Sequence, residues 1–193
     1  MNNKLNAKDL INVGIFTAIY FVAFFAVGML GYIPIFMLFL PFLLPIVSGI
    51  PFMLYLTKVN KFGMVTITGI IVALLMFATG HGWPVLVTGV VFSLIADLIF
   101  KSGGYKSWGK TLAGYGVFTL WVLGALLPMW IMRDSYFAHM REGYGDAYTD
   151  TLMSLVSGWM LLVLIAFAVT GSVIGAYMGR ATLKKHFKRA GIA

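Results

Sequence analysis

The chain has 193 residues, of which 61% are hydrophobic and only 10% are charged, against roughly 25% charged residues in an ordinary soluble domain. A water-soluble fold of this length would lack the polar residues needed to cover its surface, so the composition predicts an integral membrane protein. The formal charge of +8 does not indicate a nucleic-acid-binding protein, because the basic residues stand at the ends of apolar runs rather than on one accessible face.

Six apolar segments follow one another along the chain, and a membrane-spanning helix needs about 20 predominantly apolar residues. They predict an all-α integral membrane protein with a single transmembrane domain over residues 1–193. The first segment is long enough to span and is followed by no small-residue cleavage site, so we do not expect it to be a cleaved signal peptide. The predicted spans are residues 10–30, 33–56, 62–79, 84–100, 110–132 and 152–179.

The second segment contains Pro34, Pro41, Pro45 and Pro51. Proline inside a helix removes a backbone hydrogen bond and clashes with the preceding turn. In lipid such breaks survive only where neighbouring helices or a cavity satisfy the freed groups. We therefore expect a second helix that is kinked or broken and that faces protein more than lipid, with a merely bent helix as an equally good interpretation.

The third and fourth segments are separated by residues 79–84, a short break that contains two glycines and a proline. Glycine and proline of this kind end one helix and begin another. We expect the two segments to form a helical hairpin.

Basic residues are distributed unequally between the two predicted sides of the membrane. Only Arg133 and Arg141 lie on the side that holds the long loop 133–151, together with four of the six acidic residues. The positive-inside rule then places both termini in the cytoplasm and predicts a multi-pass protein of the bacterial cell membrane. The twelve basic residues of the cytoplasmic side are Lys4, Lys8, Lys58, Lys61, Lys101, Lys106, Lys110, Arg180, Lys184, Lys185, Lys188 and Arg189.

The sequence contains no recognisable catalytic motif. Neither HExxH, GxSxG nor a phosphate-binding loop occurs, and the absence of cysteine excludes thiolate chemistry and cysteine-bound metal. We expect a protein that is not an enzyme and that holds no cofactor. His81 and His139 share the predicted outer side and could converge on a ligand, although solvated loop histidines are the alternative and the spacing predicts no metal site.

Asp97 is the one acidic residue inside a predicted span, and an intramembrane acid is by default a candidate for function. It lies about one turn from the cytoplasmic end of its segment, with Lys101 four residues later on the same helix face. An interfacial ion pair with Lys101 is the favoured interpretation. Proton or ion coupling is the alternative.

Aromatic residues concentrate toward the predicted outer side, where Trp and Tyr favour the headgroup level in any case. Two tryptophans stand beside polar residues, and aromatic faces with a few polar groups suit a pocket for a flat, partly polar small molecule. The candidate ligand-binding residues are His81, Trp83, Trp130, Arg133 and His139, with the interfacial belt as the alternative for the tryptophans. The outer aromatic residues are Tyr32, Trp83, Trp130, Tyr136, Phe137, Tyr144 and Tyr148.

Small residues recur every four positions in the first and last spans. Such spacing lets another helix approach closely in lipid. In the first span Gly14 and Ala18 form either a docking face or an internal packing contact. In the last span Gly171, Gly175 and Gly179 are expected to pack against another helix of the same chain.

The chain resembles the substrate-binding S components of energy-coupling factor (ECF) transporters in its length, its six spans and its N-in topology. The opening helix, residues 8–20 (KDLINVGIFTAIY), stands where family members carry an Ala-x-x-x-Ala type motif, here replaced by Gly14 and Ala18. Residues 96–107 (ADLIFKSGGYKS) look like the end of the fourth helix in the branch labelled Trep_Strep, after its treponemal and streptococcal occurrence.

The resemblance implies a subunit that captures a vitamin-like or other micronutrient outside the cell, with a tetrapyrrole such as haem among the candidates. A transmembrane coupling subunit, docked on Gly14 and Ala18, and two cytoplasmic ATPases would supply the energy. The alternatives are a stand-alone ion-coupled carrier that uses Asp97, and a structural or assembly factor without a ligand. We expect the basic tail that follows Arg180 to contact anionic lipid and to be dispensable for ligand binding.

Overall fold

A computed structural model describes residues 4–187 of the chain, and these residues form helices joined by short turns, without a strand. Lys188 and Arg189 of the predicted basic tail lie outside the described residues. Short 3-10 turns follow α1 and α5, and a π-helical turn over Leu183–Phe187 follows the last helix. The helices are α1 (Ala7–Gly28), α2 (Pro34–Leu56), α3 (Met64–Ala78), α4 (Pro84–Ser102), α5 (Trp108–Thr119), α6 (Leu123–Leu126), α7 (Pro128–Ile131), α8 (Arg133–Tyr144), α9 (Asp146–Leu155) and α10 (Met160–Thr182).

Within residues 4–187, five helical stretches are long and apolar enough to cross a membrane. The third predicted span is helix α3, whose 15 residues measure only about 22 Å at 1.5 Å per residue, less than the roughly 30 Å of a hydrocarbon core. The chain is thus an all-α, multi-pass membrane protein, while the six-span count stays a prediction. The five stretches are Ala7–Tyr32, Pro34–Leu56, Pro84–Ser102, Trp108–Ile131 and Met160–Lys185.

The structure corrects the predicted region between the fifth and sixth spans. Residues 133–151 do not form an open loop but fold as helix α8 and most of α9, which meet at Gly145. Gly145 has a φ of +81°, a conformation that glycine adopts without a Cβ penalty. The predicted start of the sixth span at residue 152 is wrong, because residues 152–155 end α9 and the spanning helix α10 begins only at Met160.

Helix α2 continues without interruption from Pro34 to Leu56 although three prolines lie inside it. The predicted interruption is therefore absent, and a kinked or bent helix remains the prediction. Neighbouring helices pack closely against it, and the Tyr115 hydroxyl of α5 donates a hydrogen bond to the Pro45 carbonyl at 2.6 Å.

The glycines of α10 allow α10 to lie directly against the α2 backbone. A Cβ atom on Gly171 would overlap the carbonyl oxygen of Phe42, and one on Gly175 would overlap that of Pro45. Gly179 faces Gly49 and Met53 one turn farther along α2, so the two helices run parallel. The predicted intrachain packing of this glycine row is confirmed.

Helices α3 and α4 form the predicted hairpin and also pack through glycines. A Cβ on Gly69 would overlap the Ser93 side chain, and one on Gly89 would overlap that of Ala73. The tight turn between the helices uses positive φ angles at Gly80 (+93°) and Gly82 (+74°), which explains why glycines stand there.

The centre of the helical bundle is formed by α5 and the 3-10 turn after it. Tyr115, Phe118 and Trp121 are fully buried. The Phe118 ring lies 4.5 Å from that of Phe52 on α2, and the Trp121 indole donates to the Tyr20 hydroxyl of α1 at 3.2 Å. The fifth apolar segment is therefore the core around which the others pack.

One end of the bundle collects nearly all the cations of the described residues, and we call it the basic end. Here α1 begins with a capping box, in which Asn6 and Asp9 satisfy each other's backbone N–H groups. Lys61, in the turn before α3, pairs with Asp9 at 2.7 Å, and Arg180 of α10 stacks over Trp108 of α5 at 4.2 Å.

The opposite end, the acidic end, carries α8 and α9 with their four carboxylates. There Arg141 of α8 pairs with Asp146 at 2.8 Å and with Asp150 of α9. The two ends separate the charges as the sequence pattern predicted. Which end faces the cytoplasm remains the prediction made from that charge distribution.

Candidate ligand-binding site

A cavity of about 230 Å³ opens at the acidic end, between the end of α1, the start of α2, the end of α3 and helix α6. Its walls are mainly aromatic side chains, leucines and methionines, among them Phe24, Met37 and Met76. Met76 and Met37 supply flexible, polarisable surface that adapts to a ligand. No Asp, Glu, Lys or Arg of residues 4–187 lines the cavity, so its chemistry suits an uncharged molecule.

Two tyrosines from distant parts of the chain meet at this cavity. The rings of Tyr32 and Tyr144 lie 5.5 Å apart, and both line the cavity. Tyr148 of α9 contacts the Tyr144 ring at 4.7 Å and donates a hydrogen bond to the Gly31 carbonyl, which fixes the α8–α9 hairpin above the start of α2. Burial raises the pKa of Tyr148 to about 12 and also raises that of Tyr144, so both hydroxyls stay protonated at neutral pH.

The α3–α4 turn brings two polar side chains to the cavity, His81 and Thr79. His81 is the one whose ring can both donate and accept a hydrogen bond. Its backbone N–H and its Nδ1 both lie 3.2 Å from the carbonyl oxygen of Met76 at the end of α3. The Thr79 hydroxyl donates to the same oxygen at 2.8 Å. These contacts provide hydrogen bonds to the Met76 carbonyl at the C-terminus of α3. They also hold the imidazole in one orientation.

The protonation of His81 follows from its surroundings. Burial lowers the pKa of this imidazole, against a smaller raising effect of the hydrogen bond to Met76. The side chain is therefore neutral at pH 7, where an unperturbed histidine is already mostly deprotonated. A neutral imidazole has one donor and one acceptor nitrogen.

The other four predicted ligand-binding residues do not line this cavity. Trp83 is 54% exposed, and the Trp130 indole donates to the Ser157 carbonyl at 3.0 Å. Arg133 lies 5.2 Å from the Phe137 ring, while the His139 side chain is 83% exposed and lies 3.6 Å from Glu142. His81 and His139 thus do not share a site, and no group of three or more metal-ligating side chains occurs in the described part of the chain.

Sequence reasoning missed how the cavity wall is assembled. Tyr32 and Tyr144 belonged to the outer aromatic set, but 112 positions separate them and no local pattern pairs them. Met37 and Met76 lie in apolar runs, where no local pattern distinguishes a cavity wall from the core. The signal that did identify a cavity residue was a histidine inside a glycine-rich turn.

Asp97 has a different role from the predicted ion pair with Lys101. The carboxylate is fully buried and accepts hydrogen bonds from the backbone N–H groups of Gly63 at 2.8 Å and Thr66 at 3.1 Å. The Thr66 and Tyr105 hydroxyls also donate to it, at 3.0 Å and 3.1 Å. Lys101 instead places its ammonium 5.1 Å from the Phe62 ring.

These contacts make Asp97 the N-terminal cap of α3, supplied by a neighbouring helix. The residue at the N-cap position is Gly63, which has no side chain to cap with, so the first N–H groups of α3 would otherwise be unsatisfied. A carboxylate is stabilised at this position by the donors and by the positive end of the helix dipole.

Gly14 and Ala18 lie on the exposed face of α1. A Cβ atom on Gly14 would meet no other atom within 4 Å, whereas Val13 and Thr17 point into the bundle. The interpretation of Gly14 and Ala18 as an internal packing contact is therefore wrong. Their neighbours on the same face include Ile11 and Ile15, which are 60% and 53% exposed.

Comparison with known proteins identifies a matching family. Residues 7–189 match the family described as "Hypothetical bacterial integral membrane protein (Trep_Strep)". No curated protein and no solved structure matches the chain.

Proposed function

This chain belongs to the Trep_Strep family of hypothetical bacterial integral membrane proteins, and from that premise we propose that it is the substrate-binding subunit of an ECF-type importer. The observation that carries the proposal is that two candidate binding surfaces lie on different parts of the molecule. A ligand-sized cavity opens at the acidic end, and an unoccupied small-residue face lies on α1 nearer the basic end. A subunit that captures a ligand on one side and docks on an energised partner needs both features on separate surfaces.

The cavity supports binding rather than catalysis. Its lining offers apolar contact surface, two tyrosines, the Thr79 side chain and one neutral imidazole, which are the components of a small-molecule binding pocket. General acid–base or nucleophilic chemistry needs a nucleophile next to a base or a pair of titrating groups. We propose that the protein binds its ligand without altering it, needs no cofactor and is not an enzyme.

The size of the cavity narrows the choice of ligand. Its volume of about 230 Å³ lies below the roughly 300–1,000 Å³ of pockets that enclose drug-sized ligands. A tetrapyrrole is larger than this space. The proposed substrate is therefore a compact, vitamin-like micronutrient and not haem.

The exposed face of α1 is the proposed docking surface for the transmembrane coupling subunit, which in turn binds two cytoplasmic ATPases. Gly14 and Ala18 are four residues apart, and small residues at that spacing allow two helices to approach closely in lipid. Around them the face is branched and apolar, which suits burial against another membrane helix. The energy for import then comes from the ATPases, since the chain itself carries no phosphate-binding loop.

The alternative of a stand-alone ion-coupled carrier depends on Asp97 as the coupling residue. Asp97 already receives four hydrogen bonds from the start of α3 and from Tyr105. Those donors satisfy the buried carboxyl oxygens from the start of α3 and from Tyr105. Its position thus favours a structural role.

The docking assignment is tested with Gly14→Leu and Ala18→Leu. We expect either variant to lose co-purification with the coupling subunit and ATPases, because the added side chain blocks close helix approach. The melting temperature of the isolated subunit should stay within about 2 °C of wild type, since the position faces open space. Complex formation is measured by affinity pull-down after co-expression.

Gly109→Leu is the matched control. Gly109 lies on α5 near the basic end and is exposed, and a Cβ atom there would meet no other atom within 4 Å. The same substitution at this position should therefore leave the complex intact. Undiminished complex formation by both Gly14→Leu and Ala18→Leu would show that this face is not the docking surface.

A further inference from the structure

The imidazole of His81 has one nitrogen engaged and one free. Nδ1 lies 3.2 Å from the Met76 carbonyl oxygen and 3.1 Å from the Thr79 hydroxyl oxygen. A carbonyl oxygen can only accept, and the Thr79 hydroxyl already donates to that same carbonyl. Two oxygens therefore face Nδ1, and the hydrogen of the neutral ring must sit on this nitrogen.

The other nitrogen, Nε2, is then a hydrogen-bond acceptor. It makes no hydrogen bond to any residue in the range 4–187. An imidazole acceptor beside an apolar cavity can be satisfied only by water or by a donor on a bound molecule. Because its orientation is fixed by the end of α3, His81 presents this acceptor without first having to order its side chain.

The remaining lining limits what such a molecule can be. The Tyr32 and Tyr144 rings provide aromatic faces, and the volume of about 230 Å³ holds a ligand of one or two fused rings. A carboxylate or phosphate would find no cationic side chain in the described lining, and a permanent cation would find no carboxylate. Burying an unpaired charge there is strongly unfavourable.

From these observations we propose that the cavity selects an uncharged, planar heterocycle of one or two rings that donates an N–H hydrogen bond to Nε2 of His81. The proposal rests on the proposed function only in taking this cavity as the ligand site. It names a class of ligand and a specificity-determining residue, and it does not depend on which proteins dock on α1.

The test compares two isomeric probes, 2-methylindole and 1-methylindole. Both are planar and uncharged and have the same atoms, but only 2-methylindole keeps its N–H. Apparent dissociation constants are measured by thermal-shift titration of the purified full-length protein. We expect 2-methylindole to bind roughly three- to tenfold more tightly, the range of one net hydrogen bond, and indole-2-carboxylate to bind more weakly than either isomer.

The preference is then measured in His81→Phe, which keeps an aromatic ring but has no acceptor, and in His139→Phe as the matched control at an exposed histidine of the same end. We expect the preference to disappear in His81→Phe and to persist in His139→Phe. Comparing the ratio of the two probes, rather than one affinity, cancels differences between variants in stability or in ring packing.

Three results would overturn the proposal. Equal binding of the isomers to the wild-type protein contradicts the N–H requirement and needs no variant to be stable. If His81→Phe still prefers 2-methylindole, the N–H is recognised by another residue. If neither isomer binds the wild-type protein, the proposed class of ligand is wrong. None of these outcomes bears on pull-down of the coupling complex, so the two proposals fail separately.

Discussion

Asp97 shows how a buried carboxyl group can serve the fold. The side chain lies in a helix that spans the membrane, yet it contacts no cation at hydrogen-bond distance among residues 4–187 and is balanced by four donors instead. Three of those donors belong to Gly63 and Thr66 at the start of α3. The residue therefore ties the α3–α4 hairpin together at its open end.

Asp97→Ala should destabilise the protein by about 3 kcal/mol, because it leaves buried N–H and O–H groups without a partner. Asp97→Asn keeps one acceptor oxygen, so its destabilisation should be about half that of Asp97→Ala. The free energy of unfolding is measured in detergent with a denaturant titration, and Asp134→Ala on the exposed surface of α8 should change it by less than 0.5 kcal/mol.

The same variants separate the structural role from ion coupling. If Asp97→Asn abolishes uptake while the unfolding free energy stays at the wild-type value, the carboxylate takes part in transport and the capping role is insufficient. Loss of uptake that follows loss of stability supports the cap.

The role of a single side chain can be predicted from the sequence only when its partners are close to it along the chain. His81 was identified because a polar ring in a glycine-rich turn stands out from its immediate neighbours. The capping role of Asp97 depends on Gly63, 34 positions away, whereas Lys101 was close in sequence and so was paired with it incorrectly. Tyr32 and Tyr144 were found as aromatic residues but not as a pair, for the same reason.

At the scale of helices, the contact between α2 and α10 brings two backbones together. Gly49 of α2 and Gly175 of α10 face each other, and a Cβ on Gly49 would lie 2.6 Å from the Gly175 carbonyl carbon. Close approach of this kind strengthens van der Waals packing, which is the main source of helix association in lipid. It also covers the stretch of α2 that contains Pro41 and Pro45.

Gly175→Ala should destabilise the protein by about 2 kcal/mol or more, because the new methyl group would overlap the Pro45 carbonyl oxygen and force the helices apart. Gly109→Ala is the control, and it should have the opposite effect. Replacing an exposed glycine in a helix by alanine raises the free energy of unfolding by roughly 0.5–1 kcal/mol. Both are read from denaturant titrations. An unchanged or raised unfolding free energy for Gly175→Ala would show that α2 and α10 do not pack in this register.

Repeating sequence patterns predicted helix packing correctly, whereas the positions at which helices begin and end were predicted less well. The four-residue spacing of glycines in α10 predicted a packing face, and the glycine-proline turn predicted the α3–α4 hairpin. Hydropathy did not reveal that residues 133–151 are helical, because α8 and α9 are polar surface helices that it reads as a loop. The prolines of α2 predicted a kinked or broken helix, and the structure shows no interruption between Pro34 and Leu56.

For the molecule as a whole, the absence of cysteine makes the orientation directly testable. Single cysteines are introduced at exposed positions by Glu142→Cys at the acidic end, Trp83→Cys in the α3–α4 turn and Lys106→Cys at the basic end. In intact cells a membrane-impermeant maleimide should label the first two and not the third. Permeabilised cells should show labelling of all three.

The Trp83→Cys variant also decides the number of spans. Labelling from outside places the α3–α4 turn across the membrane from the basic end, so that the short helix α3 completes a sixth passage. If it reacts only after permeabilisation, as Lys106→Cys should, neither α3 nor α4 crosses the membrane and the six-span prediction is wrong.

The separation of charge between the two ends gives the molecule a large electric dipole. In the described residues the basic end carries ten lysines and arginines with two carboxylates, and the acidic end carries two arginines with four carboxylates. In the predicted orientation the cations face the negative interior of the cell, and the resting potential holds the protein in place. Carrying one elementary charge through the full potential costs about 2.3 kcal/mol per 100 mV. Any tilt that moves the basic end into the bilayer would therefore be opposed by the voltage, and collapsing the potential would make that motion easier.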